Sequence, residues 1–223
     1  MGVDLGRKLM VEFIGMFIFM FTVGMATDKT AIGALAPLAI GSVLMVMVFA
    51  GGHVSGGHFN PAVSTAVFVR GRMAAMEFIP YIATQFVAAA LAGFLVRYVG
   101  GPEGQLIVAS SGKMLVAEFI FTFALAWVVL HVATARGTQG NSFYGLAIGF
   151  TVVAGAYAVG GTSGGAFNPA IALGAMVTGL FAWSNIWIYL VADFLGAAVA
   201  ALTFLFVLPG EKIAGDIEAA STE

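Results

Sequence analysis

The pattern S-G-G-x-F-N-P-A occurs twice in this chain, as "SGGHFNPA" from Ser55 and as "SGGAFNPA" from Ser163. Each copy is glycine-rich, broken by proline and set between hydrophobic runs. Glycine admits unusual dihedrals and close backbone approach. Proline belongs at the first helical position, where its missing N–H costs nothing. Asparagine just before it occupies a favoured N-cap. Each copy therefore reads as a turn that launches a helix, "PAVSTAVFV" (61–69) and "PAIALGAMV" (169–177). At ~1.5 Å per residue such helices cover ~15 Å, half of a ~30 Å hydrocarbon layer.

A bilayer enters the argument through composition. Hydrophobic residues make up 61% of the 223 residues and charged ones 9%, where soluble domains average about 25% charged. So little polar surface requires lipid as the main solvent. The net charge of −2 and the lack of a basic stripe give no reason to expect nucleic acid. The absence of cysteine excludes disulfides, thiolate metal sites and cysteine nucleophiles.

Six stretches are long enough to span a membrane: 8–27, 33–52, 76–98, 113–135, 141–161 and 184–208. The first follows Arg7 and Lys8 like a signal peptide. Glu12 interrupts it and no A-x-A site follows, so it reads as a retained helix. With both termini cytoplasmic, Arg7, Lys8, Arg70, Arg72, Arg136 and Lys212 lie inside, against Lys29, Arg97 and Lys113 outside. The positive-inside rule favours that orientation. The expected location is the cell membrane, multi-pass.

The chain is an internal repeat. Asn60 and Asn168 lie 168 − 60 = 108 residues apart, and the same offset pairs Tyr81 with Tyr189, Gln85 with Asp193, and Gly41 with Gly149. "LMVEFIGMF" (9–17) resembles "LVAEFIFTF" (115–123), pairing Glu12 with Glu118 at 118 − 12 = 106. Each unit has three full spans, an odd number, so the second copy is inserted upside down. Inverted repeats of this kind place their site at the midplane between the copies.

The two N-P-A corners are thus expected to meet near the bilayer centre, one loop entering from each face. Irregular backbone at that depth must be buried in protein or line a water-filled cavity. Both half-helices aim their positive ends at one spot. Each Asn side-chain oxygen caps its own helix, leaving the amide NH₂ free to donate into a cavity. Such a spot repels cations and offers two donors to an oxygen.

Glu12 and Glu118 are intramembrane acids, a residue class whose default reading is functional. Here each is expected to be structural, accepting backbone N–H bonds from a re-entrant loop that has no ladder of its own. His53 and His58, in or beside the first loop, are expected to hydrogen-bond or line a cavity; no metal or cofactor is expected. Asp193 is expected to make a hydrogen bond within or between helices. The small-residue runs "AAALAG" (88–93), "GLAIG" (145–149) and "GAAVAA" (196–201) suit close helix contacts.

The paired "FNPA", the longer "SGGHFNPAVS" and the two membrane glutamates resemble the aquaporin or major intrinsic protein family, over about Leu5 to Leu208. The resemblance implies an all-α membrane fold: a right-handed bundle of six tilted helices plus two re-entrant half-helices. One channel domain would cover 1–208, with inverted repeats at about 5–100 and 112–208. A polar cytoplasmic tail would follow at 209–223. It further implies a pore in each subunit of a homotetramer embedded in membrane lipid, and passive flow of water or small neutral solutes. By the family's pattern the pore motifs are Asn60, Pro61, Ala62, Asn168, Pro169 and Ala170. Carbonyls of Gly56, Gly57, His58, Gly164, Gly165 and Ala166 would form a ladder of acceptors.

The chain leaves that pattern at the outer filter. Water-selective members carry Arg immediately after the second N-P-A; Ile171 stands here. The other filter positions fall at Ile40, Ala156 (Gly155 if the register slips by one) and Gly165. Glycerol-type members keep the Arg and often follow it with Asp, where this chain has Ala172. The expected filter is aliphatic and wide. Two other functions fit the same pattern: a secondary transporter of a small neutral solute, which shares the architecture, and a non-transporting structural membrane protein. No Ser/His/Asp or His/Glu metal constellation within the spans suggests an enzyme.

Overall fold

The structure, a computed structural model, describes residues 3–27, 33–101, 104–106 and 108–211. Eight α-helices and no strand appear among them. The full-length ones are α1 (Leu5–Ala26), α2 (Ala36–Ser55), α4 (Ala75–Val99), α5 (Ser111–Val129), α6 (Tyr144–Ser163) and α8 (Ile186–Val207). The short ones are α3 (Pro61–Val69) and α7 (Pro169–Thr178). The six long helices are apolar enough to cross a membrane, and the chain is a multi-pass membrane protein. Of the expected tail, residues 212–223 lie outside the described residues, as do Lys29 and Lys212 of the charge count.

Helix limits follow local chemistry. Asp4 caps α1 by accepting from the Arg7 N–H at 3.1 Å. Gly56 and Gly164 end α2 and α6 at φ 92° and 93°, a left-handed position that favours glycine. Pro80 sits inside α4 within its first turns. The fourth span ends in a π turn, Leu130–Thr134, which the sequence pattern does not foretell. The Thr134 hydroxyl donates to the Leu130 carbonyl at 2.6 Å there.

Packing repeats with the sequence. Helix α1 packs on α2 and α4 as α5 packs on α6 and α8. Each half-helix packs on the last full helix of the other repeat, α3 on α8 and α7 on α4. Helices α2 and α6 cross where Gly41 meets Gly149; a Cβ on either would overlap the other's carbonyl oxygen. Gly93 is closed in the same way by the Gly174 carbonyl, and Gly196 by that of Phe119. All three small-residue runs therefore contribute a glycine to contacts within one subunit. Large apolar side chains such as Phe94, Leu202 and Phe206 face outward, as lipid requires.

Candidate functional site

The repeated octapeptide has one backbone conformation in both places. After the helix-ending glycine, Gly57 and Gly165 are also left-handed, at φ 62° and 66°. Phe59 and Phe167 follow at 45° and 47°. Left-handed backbone is a costly state for a bulky residue, of order 1–3 kcal/mol, and it persists only when the surroundings over-determine it. They do so here. The Phe59 N–H donates to Glu12 Oε2 at 2.8 Å, its carbonyl accepts from Asn168 at 2.9 Å, and its ring is 1% exposed. The Phe59 ring fills the space over Gly15 and Gly51, as the Phe167 ring does over Gly155. The sequence reading gave these phenylalanines no role.

Asn60 and Asn168 then turn to extended backbone, φ −163° and −162°, and cap the short helices. Asn60 Oδ1 accepts from the Ala62 and Val63 N–H groups at 2.8 and 3.4 Å. Asn168 Oδ1 accepts from those of Ala170 and Ile171 at 3.0 and 3.4 Å. Pro61 and Pro169 occupy the first helical position. The amide nitrogens cross over: Asn60 Nδ2 donates to the Phe167 carbonyl at 2.8 Å, and Asn168 Nδ2 to that of Phe59. This modifies the sequence reading, in which each NH₂ was free. One N–H of each amide ties the loops together, and one remains.

Each loop hangs from an acid that is 0% exposed. Glu12 Oε1 accepts from the Ser55 hydroxyl (2.7 Å) and the His58 N–H (2.9 Å). Its Oε2 accepts from Phe59 N–H and from the Gln85 amide, both at 2.8 Å. Glu118 repeats the scheme with the Ser163 hydroxyl (2.5 Å) and the N–H groups of Ala166 (3.1 Å) and Phe167 (2.7 Å). A buried carboxylate is tolerable only with such a set of donors. Tyr81 and Tyr189 complete the symmetry, donating to the Ser55 and Ser163 carbonyls at 2.8 and 2.6 Å. His58 Nδ1 lies 3.0 Å from Ser64 Oγ.

On the side where α1 begins and α8 ends, a funnel of about 660 Å³ opens toward this junction. His53, Arg72, Glu77 and Arg136 line it, with Gly56 and His58 at its depth. Between the two caps a further space of about 10 Å³ remains, roughly one water's worth. Gly57, His58, Asn60, Ala166 and Asn168 border it, with Phe19, Leu44, Val63, Leu125, Ile148 and Val152 among its apolar neighbours. The arrangement suits single-file passage of something small that can hydrogen-bond.

Of the four residues expected at the outer filter, Gly165 and Ala156 adjoin, with a Cβ on Gly165 falling 3.5 Å from the Ala156 Cα. Gly155, the alternative register, is buried instead under Phe167 and Phe121. Ile40 is partly exposed, and Ile171 is only 3% exposed at the start of α7. Gly164 packs against Phe181. Asp193 accepts from Thr122 Oγ1 at 3.0 Å, a bond between α8 and α5. The His131 ring leans on Trp127 at 45°, ring centres 4.2 Å apart.

A second polar cluster went unread in the sequence. The Arg70 guanidinium, at the end of α3, is buried and donates to Glu211 Oε2 (2.6 Å) and to the hydroxyl and carbonyl oxygens of Thr134. It also lies 4.9 Å from the Phe204 ring centre. Glu211 Oε1 accepts from the Arg136 N–H at 2.7 Å. One carboxylate thus fastens the base of the first half-helix, the α5–α6 connection and the segment after α8 to each other.

Comparison with known proteins agrees with this geometry. A probable aquaporin of rice, TIP4-1, is 36% identical over 91% of this chain and 88% of its own length. The probable aquaporin NIP4-2 of Arabidopsis thaliana is 33% identical over 92% of this chain and 76% of its own. The solved aquaglyceroporin of Plasmodium falciparum has the same fold, with a TM-score of 0.77 at 21% identity, covering 96% of this chain and 98% of that one. The sequence profile of the major intrinsic protein family matches residues 3–204, and the chain belongs to that family.

Proposed function

We propose that this protein is a passive membrane channel for water and small uncharged solutes, conducting through the gap between Asn60 and Asn168. One observation carries the reading. Two helix N-termini converge there, each capped by an asparagine that also donates across to the opposite loop, around a space of about one water that shares His58 with the larger cavity. Two positive helix ends disfavour cations. The remaining amide N–H groups are the donors for a passing oxygen. The carbonyls of Gly56, Gly57, His58, Gly164, Gly165 and Ala166 are proposed as acceptors along the same wall. Glu12 and Glu118 hold the loops and take no part in conduction, because their oxygens are already occupied by donors.

The finer assignments are of the same kind. Ile40, Ala156, Gly165 and Ile171 form an outer filter without a fixed positive charge, open to solutes larger than water. The protein is a homotetramer of single-domain channels in the cell membrane, with both termini cytoplasmic, as the surplus of Lys and Arg on that side favours. It needs no cofactor and is not an enzyme. The test is stopped-flow light scattering on proteoliposomes with water, glycerol and urea. Flux linear in the gradient for water and glycerol supports the reading. Saturable uptake coupled to an ion gradient would replace it with a transporter.

A further inference from the structure

The two repeats complete their buried acids differently. In the first, Gln85 supplies an amide that donates to Glu12 Oε2 at 2.8 Å and to Ser64 Oγ at 3.0 Å. At the repeat offset, Asp193 stands in place of Gln85 and Ala172 in place of Ser64. Asp193 is 0% exposed. Its Oδ1 accepts from Thr122, while its Oδ2 meets no N–H or O–H donor. The group within hydrogen-bonding reach of it is the Glu118 carboxyl.

Hydrogen bookkeeping decides the state of this pair. Glu118 already accepts from one hydroxyl and two backbone N–H groups, which favour its anion and leave room for one more donor. Two adjoining carboxylates inside hydrocarbon cannot both be ionised. The ionisable groups acting on the pair are each other and Tyr189, whose hydroxyl is spent on the Ser163 carbonyl. Helices α3 and α7, which also pack on α8, contain no ionisable residue. Among the described residues no basic side chain neutralises a second charge: the basic groups that meet α8, His131 and Arg70, do so at Phe204, about three helical turns from Asp193. The missing hydrogen therefore belongs on Asp193 itself.

We propose that Asp193 is a protonated carboxylic acid whose O–H takes the place of the Gln85 N–H, donating to Glu118 and thereby positioning the second re-entrant loop. It is a positioning residue, two steps from the gap: Asp193 holds Glu118, and Glu118 holds the Ala166 and Phe167 amides. The first loop is fastened by an amide that keeps its hydrogens at any pH, the second by a single proton. Asparagine at 193 would restore the amide of the other repeat, with its Oδ1 still accepting from Thr122.

The test uses the full chain reconstituted in lipid. Infrared spectra at neutral pH are recorded for unlabelled protein and for protein with carboxyl-¹³C aspartate or glutamate. A protonated-carboxyl stretch is expected that shifts with labelled aspartate, stays put with labelled glutamate, and vanishes in Asp193→Asn. This arm is independent of what the pore conducts. A second arm rests on the channel reading: Asp193→Asn should keep the wild-type thermal midpoint and water permeability, while Asp193→Ala lowers both. Absence of the band, or a band that follows glutamate, overturns the proposal. So does an Asn variant as impaired as the Ala variant. Should the Ala variant fail to assemble, the isotope shift in wild-type protein decides alone.

Discussion

Replacing Glu12 by alanine removes the acceptor of four donors at once. Two of them sit on side chains that can turn: the Ser55 hydroxyl, whose oxygen also accepts from the Gly57 N–H, and the Gln85 amide, which also reaches Ser64. The backbone N–H groups of His58 and Phe59 have no such alternative among the bonds described. A buried donor left unsatisfied costs about 1–3 kcal/mol, so the pair costs about 2–6 kcal/mol. His58 borders the central space and can recruit water, which moves the expected loss toward about 2–4 kcal/mol. For a chain of this size each kcal/mol lowers a thermal midpoint by roughly 2–4 °C. Glu12→Ala should therefore melt roughly 4–16 °C below wild type in the same detergent, followed by tryptophan fluorescence and by the size-exclusion profile. Its water permeability per reconstituted protein should fall, because Phe59 loses the bond that holds its left-handed backbone. Glu12→Gln, which keeps one acceptor oxygen, should fall between the two. If Glu12→Ala melts with wild type and conducts with a changed pH dependence instead, the acid is a proton relay and the structural reasoning is wrong.

Three further expectations rest on other sites. Asn60→Asp and Asn168→Asp should each leave the opposite Phe carbonyl without its donor and set a negative charge at a helix N-terminus; cation conductance in planar bilayers should rise or water flux fall, and no change in either measurement would refute the role. Ile171→Arg adds a positive fork of donors to the proposed outer filter, so the glycerol-to-water permeability ratio should drop, and an unchanged ratio would show that this pore selects elsewhere. Burial works to raise the Glu211 carboxyl, but the Arg136 N–H and the Arg70 guanidinium outweigh it and hold it below the usual carboxylate range. A depressed folded value means the latch is fully present at neutral pH and is lost as pH falls through that lowered value; Glu211→Ala, which strands a buried guanidinium, should cost about 3 kcal/mol at neutral pH, and the gap to wild type should narrow in acid.

Much of the fold was legible because its signals are local. Proline at the first helical position, asparagine before it and apolar runs of half or full bilayer length sufficed to draw six spans and two half-helices within a few residues. The offset of the repeats added the inversion and paired Gln85 with Asp193. What stayed hidden depends on contacts between distant segments. Phenylalanine carries no sign of left-handed backbone; Phe59 and Phe167 adopt it because two hydrogen bonds and a glycine-lined slot compel it. Arg70 reads as one of the cytoplasmic charges and Glu211 as part of a polar tail, since nothing in either neighbourhood tells that chain packing joins residues 141 apart. The asparagine amides looked free because the opposite loop's carbonyl is invisible from one strand of sequence.

The most direct measurement is the temperature dependence of osmotic water flux in proteoliposomes, compared between wild type, empty vesicles and the Asn60→Asp/Asn168→Asp double variant. Conduction through a preformed single-file gap between the two asparagines should give wild-type vesicles faster shrinkage with a low activation energy, and the double variant should depart from it toward the empty vesicles or toward ion leakage. Wild-type vesicles that shrink no faster than empty ones, with the same steep temperature dependence as bare lipid, would contradict the account.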